Sequence, residues 1–227
     1  AAPAAMCFCL DGSPPEGDVD PKDSRGKSMR DRNKREKQMD SGMCGACCKA
    51  PLACVCTAIP FTAPCMTFCL RKEVLGDKME DYQCCQGTYK CCCCHGGMCC
   101  EKSCPSCCLM IESTLCCPCA VVSTRTYMMD KYQLAPDPCD NRLIACQACV
   151  QGCGCLITIV GCVVSCLPLP GADQAGKAAT ATGALVSCVA DGCFYVMLTC
   201  MAAQTKHQMK VMGNDQPAPS VQVMARP

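Results

Sequence analysis

The hydrophobic pattern is clearest toward the C-terminal end of the chain. After Arg142 no charged residue occurs until Asp173, and the run LIACQACVQGCGCLITIVGCVVSCLPLP exceeds the roughly 20 residues that cross a hydrocarbon core of about 30 Å. It predicts a spanning helix over 143–168. Gly154 with Thr158, and Gly161 with Ser165, set small residues four apart, a spacing that lets another helix approach closely. After the loop PLPGADQAGK a second apolar stretch, 178–203, carries a single charge, Asp191. Together they predict a helical hairpin within residues 143–205. An ionisable group at the depth of Asp191 costs about 2.5–3.5 kcal/mol on insertion, so it must face protein or water; Gln147, Gln151 and Tyr195 are its candidate partners. The same aspartate also fits a re-entrant or buried soluble helix, or a neutral packing carboxyl. Arg142 and the basic stretch before the hairpin, with Lys206 and Lys210 after it, place both chain ends on the cytoplasmic side.

The rest of the pattern is less regular. A third uncharged run, Ala50 to Leu70, contains Pro51, Pro60 and Pro64, which argue against a clean span and for a half-buried or membrane-apposed segment. Cys65 to Leu75 reads as a helix that stops at Gly76. Val121, Val122, Met128, Met129 and Tyr132 share one helical face, predicting an amphipathic helix over 120–134 that lies on the cysteine module or at the membrane interface. Pro136 and Pro138 then force a turn. Residues 1–43 read as a disordered basic tail: Lys22 to Lys37 holds eight Lys or Arg against three acids without apolar periodicity, as a solvated linker or an anchor to anionic lipid. Cys7 and Cys9 flank Phe8 and are candidate acylation sites. Residues 206–227 read as a polar C-terminal tail. The predicted fold is therefore mainly α: a cysteine-rich loop and helix module over 44–142, followed by a two-helix membrane hairpin.

Composition adds the chemistry. The chain has 33 Cys and 15 Met in 227 residues but no Trp, 4 Phe and 5 Tyr, so a core built on aromatic anchors is excluded. A net charge of +1 argues against a nucleic-acid binder that works by overall charge. No secretory signal pattern is visible, so the cysteines are expected on a reducing side, as thiols or metal ligands before disulfides. Fourteen of them fall in the 36 residues from Cys84 to Cys119. CxxC spacing recurs at Cys91 and Cys94, Cys104 and Cys107, and Cys116 and Cys119, with a further pair at Cys44 and Cys47. Two such pairs can complete a tetrahedral zinc site, and His95 is a candidate fourth ligand beside three thiolates. At this cysteine density such pairs also arise by chance, so a disulfide scaffold and cysteines packed as small hydrophobes stay open. Cys91, Cys94 and His95 also satisfy the CxxCH haem-attachment pattern, but inside CCCCH without a fitting fold, and the bacterial iron–sulfur spacing cannot be placed. With two distant histidines, no phosphate loop and no paired carboxylates in an apolar setting, the chain is expected to be non-catalytic.

Several separated segments carry a resemblance. LRKEVLGDKMEDYQCCQG (Leu70 to Gly87), MCCEKSCPSCC (Met98 to Cys108), STRTYMMDKYQL with PDPCDNRLI (Ser123 to Ile144) and VADGCFYVMLTCMAAQTKHQMK (Val189 to Lys210) resemble the plant and protist branch of the placenta-specific eight cysteine-rich family. That family includes onzin, cornifelin, plant cadmium-resistance proteins and fruit-weight cell number regulators. The resemblance implies a small integral membrane protein, often at the plasma membrane, that self-associates and acts in divalent-metal export or tolerance or in growth control; apart from the resemblance, a structural accessory subunit of a larger membrane complex, with the cysteines stapling a loop-rich domain, is the alternative. Metal-transporting members carry C-L-x4-C-P-C or C-C-x4-C-P-C in the first membrane segment. Here Cys108-Leu109 precedes Cys117-Pro118-Cys119 by seven residues, outside both predicted spans.

Overall fold

The computed structural model describes residues 32, 34–76, 79–87 and 101–213. Their architecture is mainly helical, as the pattern predicts. The helices are α1 (Met43–Lys49), α2 (Pro51–Ala58), α3 (Ala63–Leu75), α4 (Pro105–Leu115), α5 (Cys117–Lys131), α6 (Pro138–Ser165) and α7 (Ala172–Gly213). Two short 3-10 turns, Met79–Asp81 and Cys84–Gly87, follow α3, and the two-residue strands β1 (Lys37–Gln38) and β2 (Leu134–Ala135) pair in parallel. The described residues divide into two compact units: the hairpin, with residues 139–197, and the cysteine-rich module, with the described residues from 32 to 138 and from 198 to 213.

In the hairpin unit, α6 and α7 meet along a seam of small residues. Gly154, Thr158, Gly161 and Ser165 on α6 repeat at intervals of four, three and four, and so do Gly176, Thr180, Gly183 and Ser187 on α7. This alternation keeps one stripe of each helix facing the other. The approach is close enough to exclude side chains: a Cβ on Gly161 would lie 2.6 Å from the Thr180 nitrogen, and one on Gly183 would lie 2.7 Å from that of Thr158. The i, i+4 spacing in the sequence therefore finds its partner within the same chain. Away from the seam the surface is apolar and exposed, with Leu156 at 63 %, Leu185 at 66 % and Val196 at 62 %. Both helices are long and apolar enough to cross a membrane. Each helix departs from the predicted limits: α6 starts at Pro138 because proline opens a helix without losing a bond, and α7 starts at Ala172.

The third uncharged run is half-buried and punctuated by its prolines. Pro51 is the first residue of α2 and Pro64 the second of α3, positions where the missing N–H is not needed. Ala53 and Thr57 face inward while Leu52, Val55 and Phe61 are exposed. Helix α3 ends at Gly76, whose φ of 70° is the left-handed cap read from the sequence.

Three expectations change in the module. The helix over 120–134 is α5, and it is buried nearly all round, from Ala120 through Thr126. Its polar side chains are satisfied internally, so it is the central helix of the module and has no water-facing side. The end of the basic stretch is built into the same unit. Arg32 grips Asp130 in a bidentate pair at 2.8 and 2.9 Å, and Arg35 adds a third bond to Asp130 at 2.8 Å while also donating to the Met129 and Leu134 carbonyls. Burial raises the Asp130 carboxyl, but the two arginines together outweigh it and hold the group below its ordinary value. Finally, the predicted polar tail over 206–227 begins inside a helix, and 214–227 lie outside the described residues. Helix α7 continues to Gly213, because Gln204 accepts from Arg125 at 2.8 Å and donates to the Ser41 carbonyl, and because Met209 packs on Met39, Val74, Met128, Met129 and Leu134. His207 meets Asp40 at 2.7 Å and Lys206 meets Glu73 at 2.5 Å.

Gly161→Leu should lower hairpin stability in detergent by about 1–3 kcal/mol through overpacking. Gly152→Ala, where a Cβ meets nothing within 4 Å, should change it by less than about 1 kcal/mol; thermal unfolding of both checks this. Asp130→Asn should cost about 1–2 kcal/mol at pH 7. The depressed carboxylate stabilises the fold above its unfolded pKa of about 3.9 and loses this contribution as pH falls through the lower folded value. Unfolding titrations of the two proteins should therefore converge below about pH 4.

Candidate functional site

The most concentrated chemistry in the module surrounds Glu112 of α4. Its side chain is 2 % exposed and pairs at 3.0 Å with Arg71 of α3, which is fully buried. The other carboxylate oxygen accepts from the Tyr82 hydroxyl at 2.7 Å and from the Cys85 amide at 3.0 Å. Arg71 also donates to the Ala120 carbonyl at 3.3 Å and to the Ser123 hydroxyl of α5. Cys85 and Gln86 both have φ near 47°, a left-handed conformation unusual outside glycine, and this kink turns the Cys85 amide toward Glu112. Glu101 holds the preceding Cys84 amide at 3.2 Å. Burial lowers the Arg71 pKa and raises those of Tyr82 and Cys85, with the nearby Glu112 charge adding to the last two.

The Cys84 and Cys85 sulfurs and a Glu112 oxygen lie within 4.8 Å of one another, a spacing a metal ion could bridge. The surroundings oppose it. Both Glu112 oxygens are already committed, and a guanidinium sits 3.0 Å away, whose positive charge repels a cation. We therefore assign this cluster to holding α3, α4, α5 and the 84–87 turn together.

Of the predicted metal ligands, Cys91, Cys94 and His95 lie outside the described residues. Cys104 and Cys107 are brought together at the start of α4, both exposed, with Cys104 at the N-cap and Pro105 at the first helical position. The Cys107 thiol donates to the Cys104 sulfur, lowering the pKa of Cys104 and raising that of Cys107. Cys116 caps the end of α4 and Cys119 lies in the first turn of α5, where the two helices bend by 119°. These two do not join the Cys84, Cys85 and Glu112 group. A different sulfur cluster, absent from the sequence reading, links α1, α2 and α7: Cys47 and Cys54 form a disulfide, and the Cys200 sulfur lies 3.5 Å from that of Cys47. The CxxC pattern pointed Cys47 toward Cys44, but the chain reversal between α1 and α2 brings Cys54 beside it.

The predicted polar site in the hairpin is only partly assembled. Gln147 is buried and donates to the Ala190 carbonyl at 2.5 Å, one residue from Asp191, and Gln151 is buried with its Nε2 unpartnered among the described residues. Asp191 is half-buried and hydrogen-bonds neither glutamine nor Tyr195, which is exposed. No family model, curated protein or solved structure matches this chain.

Glu112→Ala should destabilise the module by about 3–5 kcal/mol, because it strands the Arg71 charge in a dry site. The double variant Arg71→Met with Glu112→Leu should recover most of that loss. Denaturant midpoints of the three proteins in detergent check this.

Proposed function

We propose that this chain is a non-catalytic integral membrane protein whose cysteine-rich module binds zinc or another soft divalent metal through thiolates, with a role in metal transport or homeostasis. The observation that carries the membrane part is the α6–α7 hairpin, which closes on a seam of glycine, serine and threonine and turns leucine, isoleucine and valine outward. Lipid is the environment that such a surface fits, since two helices in water would bury those side chains between them. The metal part is supported by the adjoining Cys104 and Cys107 thiols, an exposed pair at a helix N-terminus with the lowered pKa of Cys104 favouring thiolate. Cys91, Cys94 and His95, with Cys116 and Cys119, are the candidates to complete the ligand set. The resemblance to the placenta-specific eight cysteine-rich family suggests the plasma membrane, the basic residues flanking the hairpin put both ends on the cytoplasmic side, and Asp191 with Gln147 and Gln151 would border the ion path.

A second reading is a structural accessory subunit of a larger membrane complex. The Cys47–Cys54 disulfide and the buried Glu112 network favour it, since both use the cysteine-rich segments for architecture.

Elemental mass spectrometry of the chain purified in mild detergent without chelator separates the two. The metal reading predicts at least one zinc per chain and a lower zinc content in Cys104→Ser with Cys107→Ser. The accessory reading predicts no bound metal and a fixed partner in the purified complex.

A further inference from the structure

Cys47, Cys54 and Cys200 stand apart from the proposed metal ligands and come from three elements. Cys47 lies in α1, Cys54 in α2 and Cys200 in the part of α7 that belongs to the module. All three are half-buried, so they are held by packing yet open to solvent. Cys47 is already bonded to Cys54, and Cys200 carries a thiol. A sulfur in a disulfide has no proton to give, so the 3.5 Å approach of Cys200 to Cys47 sets a thiol against a disulfide sulfur.

We propose that these residues form an internal thiol–disulfide exchange site with Cys47 as the central sulfur. The Cys200 thiolate attacks the Cys47 sulfur, the Cys47–Cys200 bond forms as the Cys47–Cys54 bond breaks, and Cys54 leaves as a thiolate that takes up the proton Cys200 lost. One disulfide is exchanged for another, so no external oxidant or reductant is consumed. The consequence is mechanical. The first bond closes a loop between residues seven apart, at a turn already fixed by Pro51, whereas the second joins residues 153 apart and ties α1 to α7. A crosslink over the longer loop restricts the unfolded chain more, so exchange moves the module from a locally stapled state to a globally stapled one.

The order of attack makes Cys54–Cys200 the linkage that does not form. Lys49 lies between Cys47 and Cys54, so trypsin separates them, and fragment-ion spectra then assign each linkage among the cysteines that share a peptide. The full chain would be acid-quenched, alkylated, digested and mapped by mass spectrometry, with circular dichroism and elution volume as checks on folding. Wild type should yield both Cys47–Cys54 and Cys47–Cys200 peptides. Refolded in a glutathione redox buffer, which supplies the oxidant that two thiols need, Cys54→Ser should carry Cys47–Cys200 as the main linkage of Cys47, Cys200→Ser should leave Cys47–Cys54 alone, and Cys47→Ser should leave Cys54 and Cys200 unlinked to each other. A folded Cys54→Ser protein that keeps Cys47 and Cys200 both alkylatable in that redox buffer would overturn the proposal. So would a Cys54–Cys200 disulfide in Cys47→Ser. Wild type tests the site without any substitution: a digest with Cys47–Cys54 and no Cys47–Cys200 counts against exchange.

Discussion

A carboxylate with almost no access to water organises the cysteine-rich module. Glu112 is tolerable at 2 % exposure because four groups converge on it or on its partner: the Arg71 guanidinium, the Tyr82 hydroxyl, the Cys85 amide and, through Arg71, the Ser123 hydroxyl. Each comes from a different element, so the requirement that a buried charge be paired and hydrogen-bonded fixes α3, α4, α5 and the 84–87 turn at once. This suits a chain with no tryptophan and few aromatics, whose apolar core is made largely of methionine and small aliphatics such as Met39, Met43, Val74, Met128 and Met209. Methionine fills space but specifies geometry poorly. The polar network supplies the specificity that this core lacks, and the Arg32, Arg35 and Asp130 clamp repeats the device at the far end of α5.

The hairpin is built on the opposite logic. Its helices touch through backbone and small side chains, with no charge pair in the seam, and its large side chains face away. Close approach, dispersion and buried glutamine amides suffice where the surroundings are as apolar as the helices themselves. Helix α7 carries both kinds of surface in turn. Its heptad positions run Gly176, Thr180, Gly183, Ser187, Ala190 and Phe194, and then Met201, Gln204 and Gln208, so one continuous helix changes from a small-residue stripe to a hydrogen-bonding one.

What the sequence made legible follows from range. The two long apolar helices, the close-packing glycines and the Gly76 cap depend on local pattern and spacing, and all are present. Arg71 and Glu112 are 41 residues apart, and Arg32 and Asp130 are 98 apart, while Lys72 and Glu73 beside the buried Arg71 stay exposed. Nothing local distinguishes a lysine or arginine that will be buried from one that will not. For the same reason α5 read as amphipathic: Ser123, Thr124 and Arg125 look like a wet face until their partners are placed beside them. The cysteines were read by CxxC spacing, which found the Cys104 and Cys107 pair. It could not find Cys47, Cys54 and Cys200, whose proximity depends on a reversal between α1 and α2 and on the extension of α7 past the apolar stretch.

The α6–α7 hairpin is long and apolar enough to lie within a bilayer. Alkaline carbonate extraction of membranes from cells that express the full chain tests this most directly, because high pH strips proteins held by charge and leaves those held by apolar spans. The chain should stay with the membrane pellet and be released by detergent alone. Recovery of folded chain in the carbonate supernatant would contradict it.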